Sequence, residues 1–216
     1  SNGATLSGVK FNKPWGMAYD SDSNIWITQE GSHIITMYNA SDKKFYVRAG
    51  KLNTPGYNNG TSVNAQFSSP KGIAVGSKIY VADMGNHCIR QIDLFTSLGT
   101  LQSTSLLAGD PGNSGNSNGT GSSASFNRPT DVAVDSKGNI YVADQQNQVI
   151  RKITTAGVVT TYAGQMGKSG LVDGDKDTKA LFSWPTSLYI DANDNIYVGD
   201  VANFRVRKID AKGNVT

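Results

Sequence analysis

The sequence predicts an all-β chain folded as a β-propeller of four-stranded blades. Three observations carry this. The anchor Phe-x-x-Pro recurs at Phe11–Pro14, Phe67–Pro70, Phe126–Pro129 and Phe182–Pro185, at spacings of 56, 59 and 56 residues. Each anchor opens the same series of short apolar runs, separated by Gly, Asn, Asp and Ser turns. The runs are apolar at successive positions, as in Ile140-Tyr141-Val142-Ala143, so both faces of each strand need cover. Four-stranded sheets stacked face to face around an axis supply that cover. No stretch shows the 3.6-residue apolar period of a helix.

The strands follow in order. The first reads GMAYD, GIAV, DVAVD and SLYID in the four copies, and the second NIWIT, KIYVAD, NIYVAD and NIYVGD. Turns such as DSKGN and DANDN join them, because Asp and Asn bond their own backbone and tolerate left-handed geometry. A polar Asp-x-x-Asn turn leads to the third strand: HIITMY, HCIRQI, QVIRKI and FRVRKI. The fourth ends in Ala-Gly as VRAG, LLAG and TYAG. The first copy departs most, with Gln29 where the others have Asp83, Asp144 and Asp200. These limits put one propeller domain at 11–216, with blades at about 11–66, 67–125, 126–181 and 182–216. Residues 1–10 stand apart. Ser1-Asn2-Gly3 reads as a protease scar from an expression tag, and Ala4–Gly8 as a candidate closing strand for the fourth blade, which lacks its own Ala-Gly run. Two expectations stand side by side: a closed four-blade ring, or part of a larger propeller.

The pattern F-x-x-P-x-(G/D)-(I/V)-A-V-D-x-x-G-N-I-Y-V-A-D-x-x-N-x-x-I-R-K-I resembles the NHL repeat, named for an Asn-His-Leu triplet. Asn86-His87-Cys88 keeps its first two letters, the third copy fits best, and the similarity runs over residues 9–216. The resemblance implies a propeller, typically six-bladed, whose loop end binds a partner. NHL-like lyases hold a metal through several histidines, and some NHL propellers bind RNA on a basic face.

Composition narrows the classes. Net charge is +3 with no dense Lys/Arg run, which argues against nucleic acid as the partner. Cys88 is the one cysteine, so no intrachain disulfide forms, and a thiol inside a strand is expected to be buried structure. No apolar run reaches the length of a transmembrane helix. Asn39, Asn59, Asn118 and Asn214 sit in N-x-(S/T) sequons; an extracellular or cell-surface location rests on family analogy alone.

The repeated polar residues are expected to be structural: Asp83, Asp144 and Asp200, Asn86, Asn147 and Asn203, and Arg90, Arg151 and Arg207 seven after each Asp. Repetition argues against catalysis, since a catalytic site is normally used once; a ring of acids around a channel is the other reading. His33 and His87, in matching turns, are too few for a zinc site. No cofactor is expected, although Asp173, Asp175 and Asp177 resemble the start of a calcium loop that lacks its twelfth-position acid. The candidate binding face is Lys13, Trp15, Glu30, His33, Lys71, His87, Arg128, Gln145, Trp184 and Phe204, with long and dissimilar inter-blade loops near 51–66, 110–125 and 165–181. Trp15 and Trp184 read either as exposed contact residues or as wedges between blades. The expected function is a non-catalytic module that recognises a protein, peptide or glycan. A propeller enzyme with a channel site, lyase or hydrolase, and an RNA-binding domain are the alternatives.

Overall fold

The computed structural model describes residues 10–94 and 102–216. Blade one is β1 (Pro14–Tyr19), β2 (Ile25–Gln29), β3 (Ile34–Asn39) and β4 (Lys44–Ala49), paired antiparallel in that order. Blade two is β5 (Gly60–Thr61), β6 (Pro70–Val75), β7 (Ile79–Asp83), β8 (Cys88–Ile92) and β9 (Ser103–Ala108). Blade three is β10 (Gly119–Thr120), β11 (Pro129–Val134), β12 (Ile140–Asp144), β13 (Val149–Ile153) and β14 (Val158–Ala163). Blade four is β15 (Gly174–Asp175), β16 (Pro185–Ile190), β17 (Ile196–Asp200), β18 (Arg205–Ile209) and β19 (Asn214–Val215). The chain is all-β in a four-blade propeller arrangement.

The sequence accounts for four strands in each blade; blades two to four have five. The extra strand comes from the preceding inter-blade segment and pairs with the outermost strand: β5 with β9, β10 with β14, β15 with β19. Two polar residues carry no apolar alternation, so nothing in composition marks them. The segments at 51–66, 110–125 and 165–181 are therefore partly woven into the next sheet. The expected closing strand at Ala4–Gly8 lies outside the described residues.

Strand alternation explains why the strands are apolar throughout. In β7, Ile79 and Val81 pack with Trp26, Ile35 and Phe67 between blades one and two. Tyr80 and Ala82, pointing the other way, pack with Phe126, Val132 and Val142 between blades two and three. Tyr141 and Ala143 do the same against Phe182 and Val198 between blades three and four. Each fully buried Phe contributes roughly 1.5–3 kcal/mol by leaving water.

Packing between described blades runs one to two, two to three and three to four, with no comparable contact between four and one. The first and last blades each leave a sheet face bare: Met17 and Tyr19 are each 69% exposed and Val206 73%. Among the described residues, blades four and one do not close a four-blade ring. The inner strands of successive blades pack together, and the two end faces carry no neighbouring blade among the described residues.

Candidate functional site

Each Asp-x-x-Asn turn builds a closed polar cluster. Asp83 is fully buried, and its Oδ1 accepts the Ser68 N–H at 2.7 Å, fixing the entry to its own blade. Its Oδ2 accepts Asn86 Nδ2 at 2.8 Å and Arg90 Nη1 at 3.1 Å. Asn86 also donates to Gly56 O, and Arg90 to Gln66 O, Asn58 O and Asn59 Oδ1. Blade three repeats this with Asp144, Asn147 and Arg151 on Asn127 N, Gly115 O, Ser125 O, Ser117 O and Asn118 Oδ1. Blade four repeats it with Asp200, Asn203 and Arg207 on Ser183 N, Gly170 O, Leu181 O, Val172 O and Asp173 Oδ1. The ion pair thus clamps the incoming inter-blade segment.

Burial pushes the carboxyls of Asp83 and Asp144 up to about 6. The arginine, the asparagine amide and a backbone N–H hold each below neutrality, so at neutral pH both are carboxylates. The guanidinium planes lie over the anchor rings, 5.1 Å from Phe67, 5.2 Å from Phe126 and 5.3 Å from Phe182. In blade one, Gln29 Oε1 still accepts the Asn12 N–H, while its Nε2 faces Thr36 at the arginine position.

The geometry separates the candidate face into two groups. His33, His87 and Gln148 occupy one position in successive blades, each with left-handed backbone (φ 59°, 56° and 63°). Each accepts the N–H of the residue before the next blade's anchor proline: His33 Nδ1 from Ser69, His87 Nδ1 from Arg128, Gln148 Oε1 from Trp184, at 2.7–3.1 Å. Those donors are left-handed too, at φ 50–55°, and the cross-blade hook holds them there. Burial lowers both histidine pKa values, which keeps Nδ1 free to accept. The histidines therefore join blades. Gln148 was missed in the sequence because its residue type differs, although it stands four after Asp144 just as His87 stands four after Asp83. Phe204 holds the same position in blade four, has no acceptor, and is 86% exposed.

The second group is open to solvent. Trp15 is 47% and Trp184 49% exposed, so neither is a core wedge; the buried tryptophan is Trp26. Lys71 Nζ sits 3.4 Å from the centre of the Trp15 ring. Burial lowers the Lys71 pKa; Glu30 opposes that fall, while the charges of Arg128 and Lys13 add to it. These four charged residues therefore share one end of the molecule with Trp15. Across the junction of blades three and four, Gln145 Nε2 donates to Thr186 Oγ1 at 3.0 Å, and that hydroxyl donates to Trp184 O.

Other candidates have other roles. Asp173 bonds Arg207, Asp175 caps the turn at Asp177 and Thr178, and Asp177 pairs with Lys176, so the three acids do not converge. Among the described residues, no three of His, Cys, Asp and Glu are gathered as a metal site needs. Cys88 is fully buried, with its thiol pKa pushed well up by burial. Asp131 was not singled out in the sequence. It is an acid on an innermost strand where the other copies have Gly16, Gly72 and Ser187. Its oxygens accept Val132 N at 2.9 Å and Leu188 N, in blade four, at 2.8 Å, while burial pushes its carboxyl up to about 7. Gly72 makes room for it, since a Cβ there would lie 2.0 Å from Asp131 Oδ1.

A family model of the NHL repeat matches residues 126–152 and 182–209. The chain is 31% identical over 210 residues to SUPPRESSOR OF QUENCHING 1, a chloroplastic protein of Arabidopsis thaliana, covering 92% of this chain and 19% of that protein. It is 43% identical over 93 residues to NHL repeat-containing protein 2 of Gallus gallus, covering 41% of this chain and 11% of that protein. Among solved structures, an auxiliary nutrient binding protein from Bacteroides ovatus superposes with a TM-score of 0.74 at 25% identity, over 94% of this chain and 49% of that one. The chain therefore spans about a fifth or less of these curated relatives and about half of the solved structure. No helix among the described residues is long and apolar enough to cross a membrane.

Proposed function

Because the chain belongs to the NHL-repeat family, we propose that it is a non-catalytic binding module whose tryptophan-bearing rim recognises a protein, peptide or glycan. One observation carries the reading. Lys71 Nζ lies 3.4 Å from the centre of the exposed Trp15 ring, the charges of Glu30, Arg128 and Lys13 act on that ammonium, and Trp184 stands exposed on the same anchor motif three blades on. An immobilised aromatic with a polar surround offers apolar contact at low entropic cost, the usual composition of an interface hot spot. The polar clusters, by contrast, have their acceptors filled by the chain itself, which leaves recognition to the unrepeated rim. The Bacteroides ovatus structure belongs to a nutrient binding protein, which supports binding as the kind of activity.

The test is a screen of a glycan array and a displayed peptide library with the wild type and a Trp15→Ala/Trp184→Ala variant. The proposal expects ligands that the wild type retains and the variant loses. Ligands held equally by both would overturn it. So would a screen in which RNA alone binds, with the steep salt dependence of phosphate contacts.

A further inference from the structure

His33 and His87 are titratable acceptors in a position where the fold also uses a group that does not titrate. The three hooks share one geometry, and each joins two described blades. Nδ1 of His33 accepts the Ser69 N–H at 3.0 Å, Nδ1 of His87 the Arg128 N–H at 3.1 Å, and Oε1 of Gln148 the Trp184 N–H at 2.7 Å. Each donor is a non-glycine residue held left-handed, at φ 50°, 55° and 54°, directly before the anchor proline of its blade. That conformation costs free energy, which the hook offsets. An imidazole accepts through Nδ1 only while it is neutral. Protonated, that nitrogen carries its own N–H and confronts a second donor. The Gln148 amide oxygen accepts at any pH.

We propose that the propeller carries an acid-operated switch: protonation of His33 and His87 unlatches the junctions between blades one and two and between two and three, and leaves the junction between three and four latched. The residues set free stand on the rim. Ser69 leads through Pro70 to Lys71, whose Nζ lies 3.4 Å from the centre of the Trp15 ring, and Arg128 is itself a hooked residue. Trp184 stays held. The switch acts on the rim whatever the rim binds. Around His33, Glu30 on the same turn favours the cation, and the residue facing Nδ1 from blade two is the uncharged Ser69. Around His87, Arg128 of blade three disfavours the cation, while Asp83 and Arg90 of its own blade are paired with each other. In both hooks Nδ1 faces a backbone N–H, so a cation formed there meets a donor. Burial holds the latched imidazoles below their ordinary value, whereas an unlatched one returns toward about 6.5. Opening therefore gains as pH falls below that point, by at most about tenfold per histidine for each pH unit.

Amide exchange read residue by residue by NMR, with rates corrected for the intrinsic effect of pH, tests this without any ligand. Between pH near 7.5 and pH near 5.5, protection of the Ser69 and Arg128 amides should fall by about threefold to tenfold relative to Trp184. In His33→Gln/His87→Gln that difference should vanish. Gln148→His should bring the same loss of protection to Trp184. The carboxyls of Asp83, Asp131 and Asp144 titrate in the same range, are common to all these proteins and cancel in the comparison. Ser69 and Arg128 amides that keep their protection would overturn the proposal, as would a wild-type Trp184 amide that loses as much as they do. So would a double variant that retains the difference, or a Gln148→His protein whose Trp184 amide stays protected.

Discussion

Asp144 shows how a residue can be polar, repeated and still purely architectural. It is fully buried, yet every oxygen has a donor and Arg151 supplies the countercharge. Replacing it with Ala would leave the Arg151 guanidinium buried without its countercharge. Asp144→Ala should therefore cost about 3–5 kcal/mol in denaturant unfolding; a loss below about 1 kcal/mol would mean the ion pair is not the clamp. The histidine hooks give a pH signature of known sign. Burial lowers the folded pKa of His33 and His87 below the ordinary 6.5, so the unfolded chain takes up protons first on acidification. Their contribution is complete above the unfolded pKa and is lost as pH falls below it. Gln148 does the same work in blade three without titrating. A His33→Gln/His87→Gln variant should thus match the wild type in melting temperature at pH near 8 and melt higher than it near pH 5.5. The buried aspartates are common to both proteins and cancel in the comparison. Equal melting temperatures at both pH values would contradict the hook.

The short strands β5, β10 and β15 depend on a side chain that reaches them from elsewhere. Arg151 holds Ser117 O, Asn118 Oδ1 and Ser125 O with two nitrogens in fixed geometry. Lysine keeps the charge but cannot span those acceptors. Arg151→Lys should speed amide exchange across 115–125 by at least about tenfold, a loss near 1.4 kcal/mol of local protection. Exchange in β12 should change far less. Equal acceleration in both would show that the arginine stabilises the sheet as a whole and does not pin this segment. The same segment marks where the sequence stops being legible. The four main strands announce themselves by apolar runs and turn residues. Gly119-Thr120 has no such signal, because its place depends on a pairing with Val158 and Val159 and on a guanidinium far along the chain. The Asn-Gly and Asp-Gly pairs at Asn59, Asn118 and Asp173 are the visible trace of that clamp. In the sequence they read as sequons and as a calcium candidate.

Across the molecule, repetition and variation have separate jobs. Residues that recur, such as the anchor Phe, Asp, Asn and Arg, face inward and hold each blade to its incoming segment. The hook residues recur in position though not in type, which is why His33 and His87 pass for binding residues in the sequence. Residues that differ at equivalent positions, Trp15 against Lys71 and Trp184 against Arg128, face solvent on the rim or just beside it. That division was readable from the repeat; which of the two tryptophan readings held depended on packing angles that spacing does not encode. The central claim is that recognition belongs to this rim. Its most direct measurement is calorimetric titration of Trp15→Ala with a ligand retained from the screen. Trp15 is half exposed, so melting should stay within about 2–4 °C of the wild type, as for an ordinary surface substitution. Affinity should fall by at least about tenfold, the mark of an aromatic hot spot. An affinity unchanged by the substitution, with the fold intact, would contradict the account.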